Sequence, residues 1–258
     1  MILIKQLHVS RLNALSGGVV VNTTPLTAIY GFVHALQRKL DETLDRFVVI
    51  HHDSRVRGER FFNYDTMAPG FCRSASWING KDYPKNGLSL SIQPHIEAAV
   101  TLSLLIHCDI PPVDALPLIK QFMHNARLAG GPVVRYQDIV LLDDEAALAE
   151  HIHTGYFVVE RKDLINPDQP VPSLISALGN QSIPWLFATS TGYRTLSSPE
   201  DREGTRLYDH DYPHAFVEPI LGLYQYVPLR QRMAEPLPYL AGHWADEKTF
   251  LIHQVEYS

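Results

Sequence analysis

The side chains with the clearest chemical potential are arginines. The 258-residue chain carries 15 arginines against 7 lysines. Four of them (Arg55, Arg57, Arg60 and Arg73) share a stretch with Phe61, Phe62, Tyr64, Phe71, Trp77 and Tyr83. Guanidinium groups hold phosphates and stack on bases, and aromatic rings receive unstacked bases, so this mixture suits single-stranded RNA. The plainer alternative is a solvated loop whose aromatics pack back on the core. A second candidate is Gly130-Gly131 behind Arg127. The glycine pair ends a helix and starts a strand, and it also permits close backbone approach to a phosphate chain.

Other chemistries find less support. Gly130-Gly131 is not followed by Lys-Ser/Thr, and Gly17-Gly18 has no G-x-G-x-x-G frame, so no nucleotide-binding loop is expected. Thirteen histidines gather most densely at His51-His52, His151-x-His153 and His210 between Asp209 and Asp211. None has a zinc or H-E-x-x-H spacing, and adjacent histidines on a strand point to opposite faces. Structural or surface roles are expected for them, with no metal and no cofactor. Ser190 and Ser197 lie in no nucleophile elbow. Cys72 and Cys108 read as two reduced thiols.

These side chains need a scaffold, and composition bounds it. A net charge of −6, a pI near 6.1, 45% hydrophobic residues and a mean hydropathy of −0.09 describe a folded chain. They exclude a strongly basic, indiscriminate nucleic-acid binder. The charge is uneven. Residues 1–140 carry 14 Lys+Arg and 11 Asp+Glu, and residues 141–258 carry 8 and 17. RNA is therefore expected on the first half, and solvent or a basic protein partner on the second. No run reaches membrane-span length and no secretory signal is visible, so a cytoplasmic protein with no membrane partner is expected.

The elements read in order. Residues 2–9 form a strand, followed by a Gly-containing loop. Thr24 caps a helix with Pro25 at its first position, and Ile29, Val33, Leu36, Leu40 and Leu44 repeat at helical spacing. Phe47–Ile50 is a buried strand, residues 51–88 an aperiodic insertion, and residues 89–107 a strand. Val113–Leu128 is a helix stopped by Gly130-Gly131-Pro132, and Val133–Leu142 a strand. This is a split βαβ arrangement. The fold class is α+β, a ferredoxin-like or RRM-like body over residues 1–142 with a thumb insertion between the second and third strands. No RNP1 pattern supports base stacking on the sheet face. Residues 143–258 read as an irregular α/β extension packed on the core. It contains a short helix at 143–153, a strand at Tyr156–Glu160, a helix at Val171–Gly179, and a strand with a Gly192-Tyr193-Arg194 turn within Trp185–Leu196. An amphipathic segment at Phe216–Val227 and a last strand at Phe250–Tyr257 complete it.

The segment Tyr30-Gly-Phe-Val-His-Ala-Leu-Gln-Arg38 resembles the first-helix motif of the Csy-type, subtype I-F, CRISPR effector subunit of the RAMP superfamily. Asn13-Ala-Leu-Ser16, Asn125-Ala-Arg-Leu-Ala-Gly-Gly131, Gly192-Tyr193 with Leu196-Ser197, and Phe216-Val-Glu-Pro-Ile-Leu-Gly222 agree in the same order. The resemblance implies an RRM-like body with a thumb at residues 51–88. It also implies a non-catalytic role: binding the 5′ handle of CRISPR RNA beside the large and backbone subunits of an antiviral surveillance complex. Contact with target DNA is left open. On this reading Arg11, Arg38, Arg127 and Arg194, with thumb residues Arg55, Arg57, Arg60 and Arg73, position the RNA backbone. Gln37 lies on the polar face of the helix. Asn13, Ser16 and the backbone at Gly130 and Gly131 meet handle bases or phosphates. Each arginine has a surface ion pair as its alternative, Arg38 with Asp41 or Glu42 foremost. Two other functions compete. One is a metal-independent endoribonuclease acting on precursor RNA through His34, assisted by Tyr30 or Arg38. The other is a protein–protein adaptor.

Overall fold

Five apolar side chains of the first strand, β1 (Ile2–Asn13), are fully buried in one core: Ile2, Ile4, Leu7, Val9 and Leu12. Their spacing slips twice from the period of two that a flat strand requires. Both slips are absorbed by register shifts against the neighbouring strand. Gln6 and Arg11 sit there with positive φ of 45° and 56°. An extra residue at each bulge returns the following apolar side chain to the same face.

The computed structural model describes residues 1–18, 20–60, 67–69, 71–75, 92–109, 111–200, 213–232 and 235–255. After β1 come β2 (Leu15–Ser16), β3 (Val20–Val21), α1 (Leu26–Leu40), β4 (Phe47–Val56), β5 (Gly58–Arg60), β6 (Met67–Pro69), β7 (Phe71–Ala75) and β8 (Ile92–Ile106). Next are α2 (Ala115–Met123), β9 (Arg127–Leu128), β10 (Gly131–Arg135), β11 (Asp138–Leu141), α3 (Leu148–His151) and β12 (Tyr156–Glu160). The rest comprises α4 (Pro170–Gly179), β13 (Leu186–Thr195), β14 (Val217–Pro228), α5 (Leu229–Arg232), β15 (Leu240–Trp244) and β16 (Thr249–Gln254).

The fold is mixed α/β and built mostly from antiparallel strands. β8 lies between β1 and β4, and the far edge of β1 is taken first by β11 and then by β10. One face carries a core closed by α1 and α2, to which α1 contributes Leu26, Ile29, Phe32, Val33, Leu36 and Leu40. The other face packs Leu3, Val48, Ile50 and Leu105 against Leu148, Phe157, Leu237 and Tyr239.

The C-terminal half corrects the expectation of an irregular extension. β12 and β15 both pair with β4, and β12–β14–β13–β16–β15 pair in succession. Six strands thus close a ring that includes β4. The expected Gly192-Tyr193-Arg194 turn is also absent: those residues lie inside β13, just past a bulge between Ser190 and Gly192. A side chain at Gly192 would collide with the Phe250 backbone of β16, so glycine here serves close strand approach.

Several boundaries move as well. The strand of residues 47–50 continues to Val56, so the insertion starts later than expected, and its described residues include β5, β6 and β7. The second helix stops at Met123, the expected strand 133–142 divides into β10 and β11, and the helix at 143–153 shrinks to α3. Thr24 does not cap α1. Its hydroxyl is buried and bonded to the Tyr226 hydroxyl at 2.7 Å, and Pro25 flanks the helix.

Candidate nucleic-acid interface

The bulge at Arg11 turns that side chain toward β8. There Glu97, only 8% exposed, sits opposite Asn13 in the strand register. Arg11 donates from Nε to Glu97 Oε1 at 3.0 Å, and its terminal nitrogen lies 2.9 Å from the same oxygen. Arg57 donates to Glu97 Oε2 at 2.8 Å. Its backbone N–H donates to the Glu97 carbonyl, also at 2.8 Å. Both arginine side chains remain more than 60% exposed. The Arg11 hydrogen bond, joined by the charges of Arg11 and Arg57, holds the Glu97 carboxyl below its ordinary range against the opposing effect of desolvation.

The glycine turn meets the same end of the sheet. Asn13 N–H donates to the Ala129 carbonyl at 2.9 Å, and the Asn13 side-chain oxygen accepts from the amides of Leu15 and Ile96. Gly130 has φ +78°, with open space where a side chain would stand. Gly131 is pressed onto the bulge: a Cβ would lie 2.5 Å from Ser10 O and 2.6 Å from Leu12 N. Exposed Arg127 donates to the Gly130 carbonyl at 2.9 Å. Arg11, Asn13, Arg57, Arg127, Gly130 and Gly131 therefore gather at one end of the sheet.

The remaining residues of the expected site lie elsewhere or point elsewhere. Ser16 is buried, and its hydroxyl accepts from the Ser190 amide at 2.9 Å. Gln37 accepts from the Leu44 amide at 3.2 Å, where α1 gives way to the loop leading into the first residue of β4. Arg38 is exposed on that same last turn, at the opposite end of β4 from Arg57. Among the described residues no ion pair joins it to Asp41 or Glu42. Arg55 is exposed on β4. Arg194 is exposed on β13, across from Glu218 and Thr249. Arg60 ends β5 opposite Met67, and Arg73 lies on β7 opposite Pro94. The rest of the expected thumb, residues 61–66, 70 and 76–88, is outside the described residues.

Glu97 escaped the sequence reading. Its signal was a lone carboxylate between Ile96 and Ala98 in an apolar strand, which needs cationic partners to be buried there.

A family model described as CRISPR-associated protein (Cas_Csy2) matches residues 2–172. The chain belongs to this family. The match covers β1 through the start of α4 and so includes the whole sheet-end cluster; the last strands of the ring lie beyond it. No curated protein matches the chain. Among the described residues no group of three or more His, Cys, Asp or Glu could hold a metal ion, and no helix is long and apolar enough to cross a membrane.

Proposed function

We propose that the chain is a non-catalytic RNA-binding subunit of a subtype I-F CRISPR effector complex. It grips the 5′ handle of CRISPR RNA and docks the large subunit. The observation that carries this reading is the gathering of exposed Arg11, Arg57 and Arg127 with the Gly130-Gly131 turn, all inside the segment matched by a CRISPR-associated family. Guanidinium forks recognise phosphates, and a glycine turn lets a backbone approach them. The strand order β4–β8–β1–β10/β11, with α1 and α2 on one face, is compatible with a ferredoxin-like body and supports membership of the RAMP superfamily.

Docking is supported by α4. It has no charged residue and no buried one, and Val171, Ile175 and Leu178 stand exposed at helical spacing. Such an apolar stripe suits a protein neighbour.

Labelled handle RNA and a scrambled RNA of equal length, titrated against the full chain, test the function. Preference for the handle by tenfold or more is the expected result. Equal affinity overturns handle recognition, and cleavage of precursor RNA in the presence of a chelator overturns the non-catalytic assignment.

A further inference from the structure

We propose that Glu97 is a positioning residue that presents Arg11 and Arg57 as one two-pronged clamp for a phosphodiester of single-stranded RNA. The proposal rests on the RNA-binding reading above and adds the means by which the site is held.

Three features carry it. The first is stoichiometry. One carboxylate takes two guanidiniums, one on each oxygen, so the cluster keeps a formal charge of +1. A single ion pair would suffice to neutralise Glu97. The second is asymmetry of exposure. The carboxylate side chain is 10% exposed, while those of Arg11 and Arg57 are 66% and 62% exposed. Each guanidinium has five N–H donors. Among the described residues Glu97 accepts one hydrogen bond from Arg11, with a second Arg11 nitrogen in ion-pair contact, and one from Arg57, which leaves donors on both for an anion. The third is placement. Glu97 lies on β8, between β1, which carries Arg11, and β4, whose last residue precedes Arg57. The two prongs arise on either side of one central strand, with their main chains roughly 10 Å apart by ordinary strand spacing. The φ of +56° at Arg11 and the Arg57–Glu97 backbone hydrogen bond fix where each prong starts. A long cationic side chain normally loses rotamer freedom when it binds a phosphate, and a clamp already held in place loses less.

The test uses the full chain with labelled handle RNA and scrambled RNA over a range of salt. Glu97→Gln is expected to weaken handle binding about tenfold, because the forks lose their common anchor. Scrambled RNA should bind within twofold of wild type or more tightly, because that interaction follows net charge, which rises by one. The Arg11→Lys/Arg57→Lys double variant keeps both charges but not the forks. It should show the same handle loss, and adding Glu97→Gln to it should cost nothing further. The clamp is overturned if Glu97→Gln leaves handle affinity unchanged or strengthens both RNAs alike; the arginines would then only neutralise the carboxylate. If circular dichroism shows that Glu97→Gln does not fold, the lysine pair decides, and unchanged affinity in it overturns the clamp. A wild-type chain that binds both RNAs equally removes handle recognition alone. In that case the lysine pair must lower both affinities about tenfold, or the clamp falls too. A wild-type chain that binds neither RNA overturns both readings.

Discussion

Two polar regions of this molecule differ in what they do with polarity. At the sheet end, Arg11, Arg57 and Glu97 keep full charges, and two of the three face solvent. Where the two halves of the chain meet, Ser16, Thr24, His51, Thr189, Ser190 and Thr191 are buried and neutral, with Tyr226 packed beside them. There Thr24 bonds Tyr226, Thr189 donates to the Thr24 carbonyl at 3.1 Å, and Asn22 donates to the Ala188 carbonyl at 2.8 Å. The seam spends its donors and acceptors internally, as burial demands. Among the described residues the cluster leaves donors over. Unspent donors, rather than polarity itself, mark the candidate interface.

The sharpest way to break this contrast is to remove the backbone support of the cluster. Gly131→Ala places a methyl against Ser10 O and Leu12 N, which are backbone atoms that cannot swing aside. We expect a loss of about 3 kcal/mol or more in denaturant unfolding, in the range of overpacked sites. Gly130→Ala meets open space and suffers only its positive φ, so a loss of about 1 kcal/mol is expected. Equal losses would show that β10 is not pressed onto the β1 bulge.

The seam should answer to pH. Burial, aided by neighbouring His52 and opposed by Asp53, lowers the His51 pKa from 6.5 to about 4. Folding therefore favours the neutral ring. Stability is full above the unfolded value and declines as pH falls from 6.5 toward 4, because the unfolded chain takes up the proton first. Between pH 7 and pH 4.5 the contribution of His51 should fall by roughly 2 kcal/mol. His51→Gln cannot titrate, so its stability should decline by that much less over the same interval. Parallel curves for the two proteins would remove His51 from the seam's neutral network.

These contrasts also explain what was legible in the sequence. The core face of α1 was readable because its burial follows the helical period, and β12 because Phe157-Val158-Val159 is an unbroken apolar run that stays buried. Thr24 was misread because serine and threonine before a helix usually cap it. Here Tyr226, 202 residues away, claims the hydroxyl. The β1 bulges carry no glycine, so nothing local announced positive φ at Gln6 or Arg11. Closure of the six-strand ring depends on pairings such as Tyr156 with His51 and Leu240 with Phe47, which no local pattern encodes. Of the candidate site, residue types were readable and neighbours were not. Arg11, Arg57 and Arg127 stand far apart in sequence, and only the register of β1, β8 and β10 brings them to one end.

Ser16 tests whether a residue of the expected site belongs to the seam. Ser16→Ala strands the buried Ser190 amide and should cost about 2 kcal/mol. The folded variant should still bind handle RNA within twofold of wild type. A larger loss of affinity at full folding would place the Ser16 loop in the interface.

The smallest expected effect falls on Arg38. It is exposed, as Arg11 is, but it occupies the last turn of α1 at the opposite end of β4, beside Lys39 and the helix carbonyl terminus. A cation there interacts favourably with the helix dipole, by about 0.3–1 kcal/mol, which accounts for its position without RNA. Arg38→Ala should therefore lower stability by a few tenths of a kcal/mol and leave handle affinity within twofold. The salt dependence of RNA binding separates the cases. If Arg38 neutralises a phosphate, its removal lowers the logarithmic salt slope by about 0.7, the single-strand value per contact. An unchanged slope confines the handle to the end held by Arg11 and Arg57. A reduced slope extends the RNA path along the exposed face of α1 and makes the clamp one of two anchors.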